Sequence, residues 1–307
     1  MLLQAAANAA GAQQYPAGAL YVVATPIGNL ADLSLRAIHV FASVDAVACE
    51  DTRVTGQLLR HLGLDKPLLA LHAHNEQQAT QAVLTRLMSG QRVAYASDAG
   101  TPAISDPGAV LVAAVALAGH RVLPIPGASS AVAALSVAGD AAAAGFAFHG
   151  FLPAKGQERR DTLQAWLQLP GSQVLFEAPH RIEALVAALA EAAPLRRLTL
   201  CRELTKQFET VVTLPASEAP AWLAADANRL RGEFVLVLHA AARTAAATEG
   251  LAPAAERALS LLLPALPLKQ AVALAAEICG APRNAVYARA LALRAAEAEA
   301  APADGAG

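Results

Sequence analysis

The sequence predicts an α/β protein, built as two α/β domains in series with a helical C-terminal appendage. Three observations carry that expectation. Short apolar runs alternate with helix-length segments through the first half, and each run ends in turn-forming or polar residues. A stretch of small residues, Gly139–Gly145, interrupts the alternation and marks a domain boundary. Beyond an Ala/Thr/Pro-rich linker at 240–255, only helical patterns remain.

The composition agrees with parallel sheets covered by helices. Hydrophobic residues make up 55% of the 307 positions, charged residues 16% and aromatics 4%, so a large core built of Ala, Val and Leu is expected. Lys and Arg number 23 against 25 Asp and Glu, a formal charge of −2. No segment is a basic arm, so any nucleic-acid contact must come from a folded patch. Cys49, Cys201 and Cys279 lie far apart with no Cys-x-x-Cys pair, which argues for reduced thiols and against a zinc site. The N-terminus lacks the basic region of a signal peptide, and no apolar run reaches a membrane span. The expected compartment is the cytoplasm.

Residues 1–17 are Ala/Gln-rich and are expected to be a disordered lead-in. The N-terminal domain is placed at 18–140. Its first strand, Leu20–Ala24, runs into Thr25-Pro26-Ile27-Gly28-Asn29-Leu30 and a helix near Leu33–Phe41. Pro26 and Gly28 permit a tight turn with close backbone approach, but the Gly-x-Gly-x-x-Gly fingerprint of dinucleotide sites is missing. The second strand, Asp45–Cys49, ends in Glu50-Asp51-Thr52-Arg53, where Asp51 or Thr52 suits the cap of a helix over Val54–Leu62. A third strand, Leu68–Leu71, precedes His72-Ala73-His74-Asn75. His-x-His without a third ligand points away from a metal and towards Asn75 as a helix cap.

The fourth strand, Val93–Ser97, ends on Asp98 and continues into Ala99-Gly100-Thr101-Pro102-Ala103-Ile104-Ser105-Asp106-Pro107-Gly108. Asp106 suits the cap of the helix through Val110 and Leu117. An acid at the carboxyl end of a parallel strand, under a folded-back loop, lies where open α/β sheets bind ligands. The fifth strand, Arg121–Ile125, leads through Pro126-Gly127-Ala128-Ser129-Ser130 into a helix over Ala131–Val137.

The C-terminal α/β domain is placed at 146–240. Lys155, Arg159 and Arg160 sit at a helix start, where cations oppose the helix dipole and hint at an anionic partner. Strands are expected over Gln173–Phe176, Leu198–Cys201 and Gly232–Leu238, the last apolar throughout and hence central. Helices are expected over Ile182–Ala190 and Pro215–Ala225. The helical tail is placed at 250–298. Leu268–Leu291 has a helix-turn-helix pattern in which Lys269, Arg283, Arg289 and Arg294 would face phosphates; the alternative is a packing or dimerisation appendage.

Seven stretches, taken in order, resemble a known family. They are LYVVATPIGNL (Leu20–Leu30), EDTR (Glu50–Arg53), SDAGTPAISDPG (Ser97–Gly108), PGASS (Pro126–Ser130), FEAPHR (Phe176–Arg181), CRELTKQFE (Cys201–Glu209) and Gly232-Glu233-Phe234. The set is similar to the tetrapyrrole methylase superfamily, the class III S-adenosylmethionine-dependent methyltransferases, in its branch acting on ribosomal RNA. The resemblance implies two α/β domains with S-adenosyl-L-methionine in the cleft between them, in a homodimer. It implies 2′-O-methylation of a cytidine ribose in the decoding region of small-subunit rRNA, free or within the 30S subunit. The alternative is a tetrapyrrole or other small-molecule acceptor. By motif, Pro26, Ile27, Gly28, Asp98, Gly100, Thr101, Ser129 and Ser130 would line the cofactor from the first domain. Phe176, Glu177, Ala178, Leu204, Glu233 and Phe234 would close over it from the second.

Methyl transfer to a ribose hydroxyl benefits from a base or a cation at the oxygen. The candidates are Lys206, Glu203, Glu50, Asp51 and His180, with Lys206 able to act as base if the site depresses its pKa. Arg53, Arg181, Arg202 and Lys155 are candidates for contacts to RNA phosphates. Phe148, Phe151 and Phe208 are candidate stacking platforms, and no metal is expected.

Overall fold

A computed structural model describes residues 1–241, 251 and 253–300 of the chain; most of the 240–255 linker lies outside them. Residues 1–240 form one compact unit, and a second begins at Ala241. The first unit contains two five-stranded sheets.

The first sheet is parallel throughout, in the order β3-β2-β4-β1-β5. Its strands are β1 (Ala19–Val23), β2 (Ala46–Cys49), β3 (Leu68–Ala70), β4 (Val93–Ala96) and β5 (Arg121–Ile125). Strands β2 and β4 are buried at every position, as expected of strands covered on both faces. The connecting helices are α2 (Leu35–Ser43), α3 (Thr52–His61), α4 (Glu76–Met88), α5 (Ala109–Leu117) and α6 (Ser130–Ala138). From β1 the chain crosses past β4 to β2, whereas from β4 it crosses past β1 to β5. The strand order therefore reverses between β1 and β4, and the loops after those two strands lie side by side at the sheet's switch point.

Residues 1–17 depart from the expected disorder. Leu2–Ala10 form α1, whose Ala6 and Ala10 are buried and which packs with Leu3 on the core around α2. An Ala-rich stretch is a strong helix former, and its small side chains allow close approach to a neighbour. Helix α5 also departs from expectation: Gly108, and not Asp106, stands at its N-cap. A Cβ at Gly108 would lie 2.3 Å from the Tyr95 ring, and φ is +123°, so only glycine lets the chain turn over that ring. Asp106 is left facing the cleft.

The second sheet has the order β6-β7-β10-β8-β9. Strands β6 (Phe146–Phe151) and β7 (Ser172–Glu177) are parallel, joined across α7 (Gly156–Gln168). The other pairs are antiparallel, through β8 (Arg197–Arg202), β9 (Thr210–Pro215) and β10 (Phe234–Leu238). Strand β10 is central and wholly buried. Helices α8 (Ile182–Ala192) and α9 (Ala219–Ala224) cover one face. Helix α6 covers the other, where Ala131 and Ala134 join Val174, Cys201 and Val235. Ile27, from the loop after β1, enters the same cluster beside Leu204, so apolar packing ties the two sheets together.

The second unit is described separately. Helices α10 (Pro253–Leu262), α11 (Leu268–Cys279) and α12 (Arg283–Ala300) bury Leu259, Val272, Ala275 and Val286 against one another. Gly280, left-handed at φ +61°, ends α11. Arg289 pairs with Glu256 at 2.6 Å, which removes it from the four cations expected to face phosphates.

Candidate active site between the two sheets

The loops after β1 and β4 are stitched together by their backbones. Thr25 N–H donates to Gly100 O at 2.9 Å, and Gly100 N–H returns a bond to Thr25 O at 3.1 Å. The buried Thr25 hydroxyl donates to Ser97 O. This frame aims Asp98 outward, where its Oδ1 accepts a bond from Asp51 N–H at 3.0 Å.

Across the cleft, the second sheet contributes the end of β7, the start of β10 and the turn after β8. Antiparallel register aligns Phe234 with both Glu177 and Arg202. The turn after β8 is unusual, because Glu203 and Thr205 adopt φ of +53° and +66°. Non-glycine residues in that region are held there by their surroundings. Here the Glu203 side chain folds over Gly232, where a Cβ would meet it at 2.5 Å, and its Oε1 accepts the Glu233 N–H. The Lys206 stem lies across Gly28 of the opposite loop, again with no room for a Cβ. Its Nζ donates to Glu203 Oε1 at 2.8 Å and Glu233 Oε2 at 3.1 Å.

Three adjoining cavities fill the cleft. The first, about 400 Å³, is walled by Pro26, Ile27, Gly28 and Asp98 on one side and by Lys206 and Glu233 on the other. The second, about 370 Å³, has Ile27, Ser130, Phe176, Leu204 and Phe234 in its wall, with Glu177 and Ala178 at one end. The third, about 80 Å³, lies under Gly100, Thr101 and Ser129. The first two share Ile27, Ala99 and Glu233. Every residue expected at the cofactor thus borders one of the three. Ser105, Asp106 and one face of α3 also line them; the motifs gave no sign of α3, because its lining residues are spread at helical spacing.

The acids around the first sheet differ in their circumstances. Burial pushes the Asp106 carboxyl up, opposed by a hydrogen bond from Ser97 and assisted by the charge of Asp98. Glu50 is raised by burial and by Asp106 and Asp98. Asp51 moves the other way, to about 2, because its carboxylate accepts bonds from the Arg53 side chain and backbone.

Several candidates are spent on the fold. Asp51 caps α3 and pairs with Arg53, and neither it nor Glu50 borders the cavities. Lys206 does not have the depressed pKa of a base: burial alone would lower it, but the bonds to Glu203 and Glu233 outweigh burial and raise it. The Glu177 carboxylate is fully buried between Arg159, at 3.1 Å, and Arg181, at 3.0 Å. That pairing explains the cation at the start of α7: the anion that Arg159 meets is internal. Arg181 also donates to Leu152 O and Pro153 O, and Arg202 to Arg231 O and Phe208 O, so both hold backbone in place of RNA phosphates. Arg53 and Lys155 remain exposed. His180 is exposed outside the cavities. Phe148 and Phe151 pack edge-on against Phe176, and Phe208 is exposed. Among the described residues no cluster of three metal-ligating side chains occurs, and no helix is long and apolar enough to cross a membrane.

Residues 19–220 match the family model of Tetrapyrrole (Corrin/Porphyrin) Methylases. A solved uroporphyrin-III C-methyltransferase from Thermus thermophilus, complexed with S-adenosyl homocysteine, shares the fold at a TM-score of 0.51. It is 16% identical and covers 71% of this chain and 96% of its own. Fold and cleft define an S-adenosylmethionine-dependent methyltransferase of the tetrapyrrole methylase class.

Residues 249–294 match a second model, the RsmI C-terminal HTH domain. Ribosomal RNA small subunit methyltransferase I of Neisseria meningitidis serogroup A is 48% identical, over 88% of this chain and 92% of that protein. The protein of the same name from Escherichia coli O157:H7 is 48% identical over 89% and 95%. The chain belongs to the ribosomal RNA small subunit methyltransferase I family.

Proposed function

We propose that this enzyme transfers a methyl group from S-adenosylmethionine to the 2′-oxygen of a cytidine ribose in the decoding region of small-subunit rRNA. It would work in the cytoplasm as a homodimer, on the assembled 30S subunit or its rRNA. The observation that carries this reading is the near full-length likeness to small-subunit rRNA methyltransferases, tail included. A tetrapyrrole acceptor finds support only in fold, since two solved uroporphyrin-III C-methyltransferases and two further methyltransferases of that fold are 16 to 22% identical to this chain.

The cleft has the donor set that S-adenosylmethionine requires. Ser129 stands at the N-cap of α6 without capping it, which leaves its hydroxyl available. Gly100 and Thr101 bring backbone close. Asp98 and Asp106 supply negative potential suited to a sulfonium and an ammonium, while Ile27, Leu204, Phe176 and Val235 form an apolar wall for a purine. Bound there, the cofactor supplies an electrophilic methyl group, and its sulfur leaves as a neutral thioether.

The chain's own part is positioning, water exclusion and proton handling. Lys206 Nζ stays an ammonium at neutral pH and borders the first cavity. A cation beside a hydroxyl lowers the cost of the negative charge that grows on oxygen as it attacks. The Glu233 carboxylate, common to both large cavities, is placed to receive the hydroxyl proton. Glu203 fixes Lys206 from behind.

The test is transfer of labelled methyl from S-adenosylmethionine to small subunits lacking their own modifications. Alkali-stable label recovered as 2′-O-methylcytidine supports the reading. Measurable cofactor binding without incorporation would end it.

A further inference from the structure

Helix α3 has two faces. Thr55, Gly56 and Leu59 are buried against the sheet. At about 100° per residue, the opposite arc runs through Arg60, Arg53, Gln57, His61, Val54 and Leu58 in that angular order. Of these, only Leu58 is partly buried, and the other five are exposed. Val54, Gln57, Leu58 and His61, at helical spacing, wall the first cavity. The outer arc thus grades from two guanidinium groups, through an amide and an imidazole, to two apolar side chains.

That gradient is poorly matched to the sulfonium and ammonium of the methyl donor, whose carboxylate is better met by the backbone and hydroxyl groups at Ser129 and Ser130 in the third cavity. The second and third cavities have no lysine, arginine or histidine in their walls, whereas the first has Lys206 from the turn after β8, across from Asp98, and the His61 imidazole from α3. From this contrast we infer that the α3 side of the first cavity is the acceptor subsite, with Asp98 on the wall across from Lys206 left to the donor, and that the outer face of α3 receives one unstacked pyrimidine nucleotide of the RNA. The inference rests on the rRNA reading above and assigns the acceptor's place within it. A cavity of about 400 Å³ is near the small end for ligand sites, suited to one nucleotide and not to a duplex. A base whose 2′-hydroxyl must meet the donor is recognised most readily once out of its stack. Val54 and Leu58 offer a flat apolar surface to the ring. Gln57 offers an acceptor and a donor in one amide, matching the N4–H and N3 of cytosine. Arg60 and Arg53 flank the phosphate path. The nucleotide's ribose then lies towards Ile27, Ala99 and Glu233, where the first cavity meets the second and Lys206 stands.

The test compares wild type with Gln57→Ala, His61→Ala and Arg60→Ala, all changes at exposed positions. Three quantities are measured: affinity for S-adenosyl homocysteine by calorimetry, and KM and kcat for methyl transfer to unmodified small subunits. Gln57→Ala and His61→Ala are expected to raise KM about tenfold with cofactor affinity within twofold of wild type. Arg60→Ala is expected to raise KM less and to make it less salt-dependent. Cofactor affinity weakened tenfold by Gln57→Ala would reassign the cavity to the donor and overturn the inference. An unchanged KM in both Gln57→Ala and His61→Ala would also overturn it. A wild-type enzyme that transfers no methyl to small subunits would instead mark failure of the rRNA reading.

Discussion

The two sheets of the first unit reach the same cleft by different means. The parallel sheet delivers the carboxyl ends of all its strands to one edge. Its loops bind each other through backbone groups, as Thr25 and Gly100 do, and they need few charges. In the mostly antiparallel sheet, alternate strands enter and leave at the cleft. Its edge is held by long charged side chains: Glu177 between two arginines, and Lys206 between two glutamates. Where topology gathers backbone amides, backbone builds the site; where it does not, ion pairs and strained turns take over.

That contrast predicts a ranking of mutational effects. Glu177→Ala strands two largely buried guanidinium groups and should destabilise the unit by about 3 kcal/mol, read as a shift in the urea midpoint at constant slope. A loss under about 1 kcal/mol would mean that the pair is no anchor. On the parallel side, Thr25→Val removes one buried hydrogen bond and should cost about 1 kcal/mol in the same assay. At the exposed rim, Arg53→Ala should leave the midpoint unchanged, since the Arg53 side chain is 88% exposed.

The Lys206 link has a pH signature. Its pKa in the folded chain is raised, so its contribution to stability is complete below the unfolded lysine pKa and is lost as pH climbs through the folded value. Glu203 is shifted down: burial opposes this, but the bonds from Lys206 and the Glu233 backbone prevail. Its contribution is present above the unfolded glutamate pKa and is lost as pH falls through the folded value. Between those limits the link is flat. The rate of methyl transfer should therefore show no lysine inflection near neutrality. An inflection near pH 7 to 8 that disappears in Lys206→Arg would restore lysine as the base.

Legibility in the sequence follows the same division. The parallel strands were readable because strands covered on both faces are unbroken apolar runs, such as Val93–Ala96 and Ala46–Cys49. Strand β9 escaped notice because an edge strand is only partly buried and Thr210–Pro215 lacks a strong apolar run. Strand β6 escaped because Phe146 and Phe151 are exposed and a bulge near Gly150 breaks its register. Motif residues at strand ends located the cavities. Glu177 and Arg181 pair four residues apart, but their other partners and those of Arg202 were not legible, because those groups lie 6 to 29 residues away. The lining face of α3 was not legible either, since the same spacing describes any solvated helix face.

The most direct test of the central claim, that both sheets together hold the methyl donor, is calorimetric titration of S-adenosyl homocysteine into wild type, Asp98→Ala and Phe176→Ala. Asp98 belongs to the backbone-built side and Phe176 to the side held by ion pairs. Each change should weaken binding about tenfold or more, with the urea transition showing that both variants are folded under the assay conditions. Full affinity in Phe176→Ala would mean that the second sheet takes no part in holding the donor, and the account of a shared cleft would be wrong.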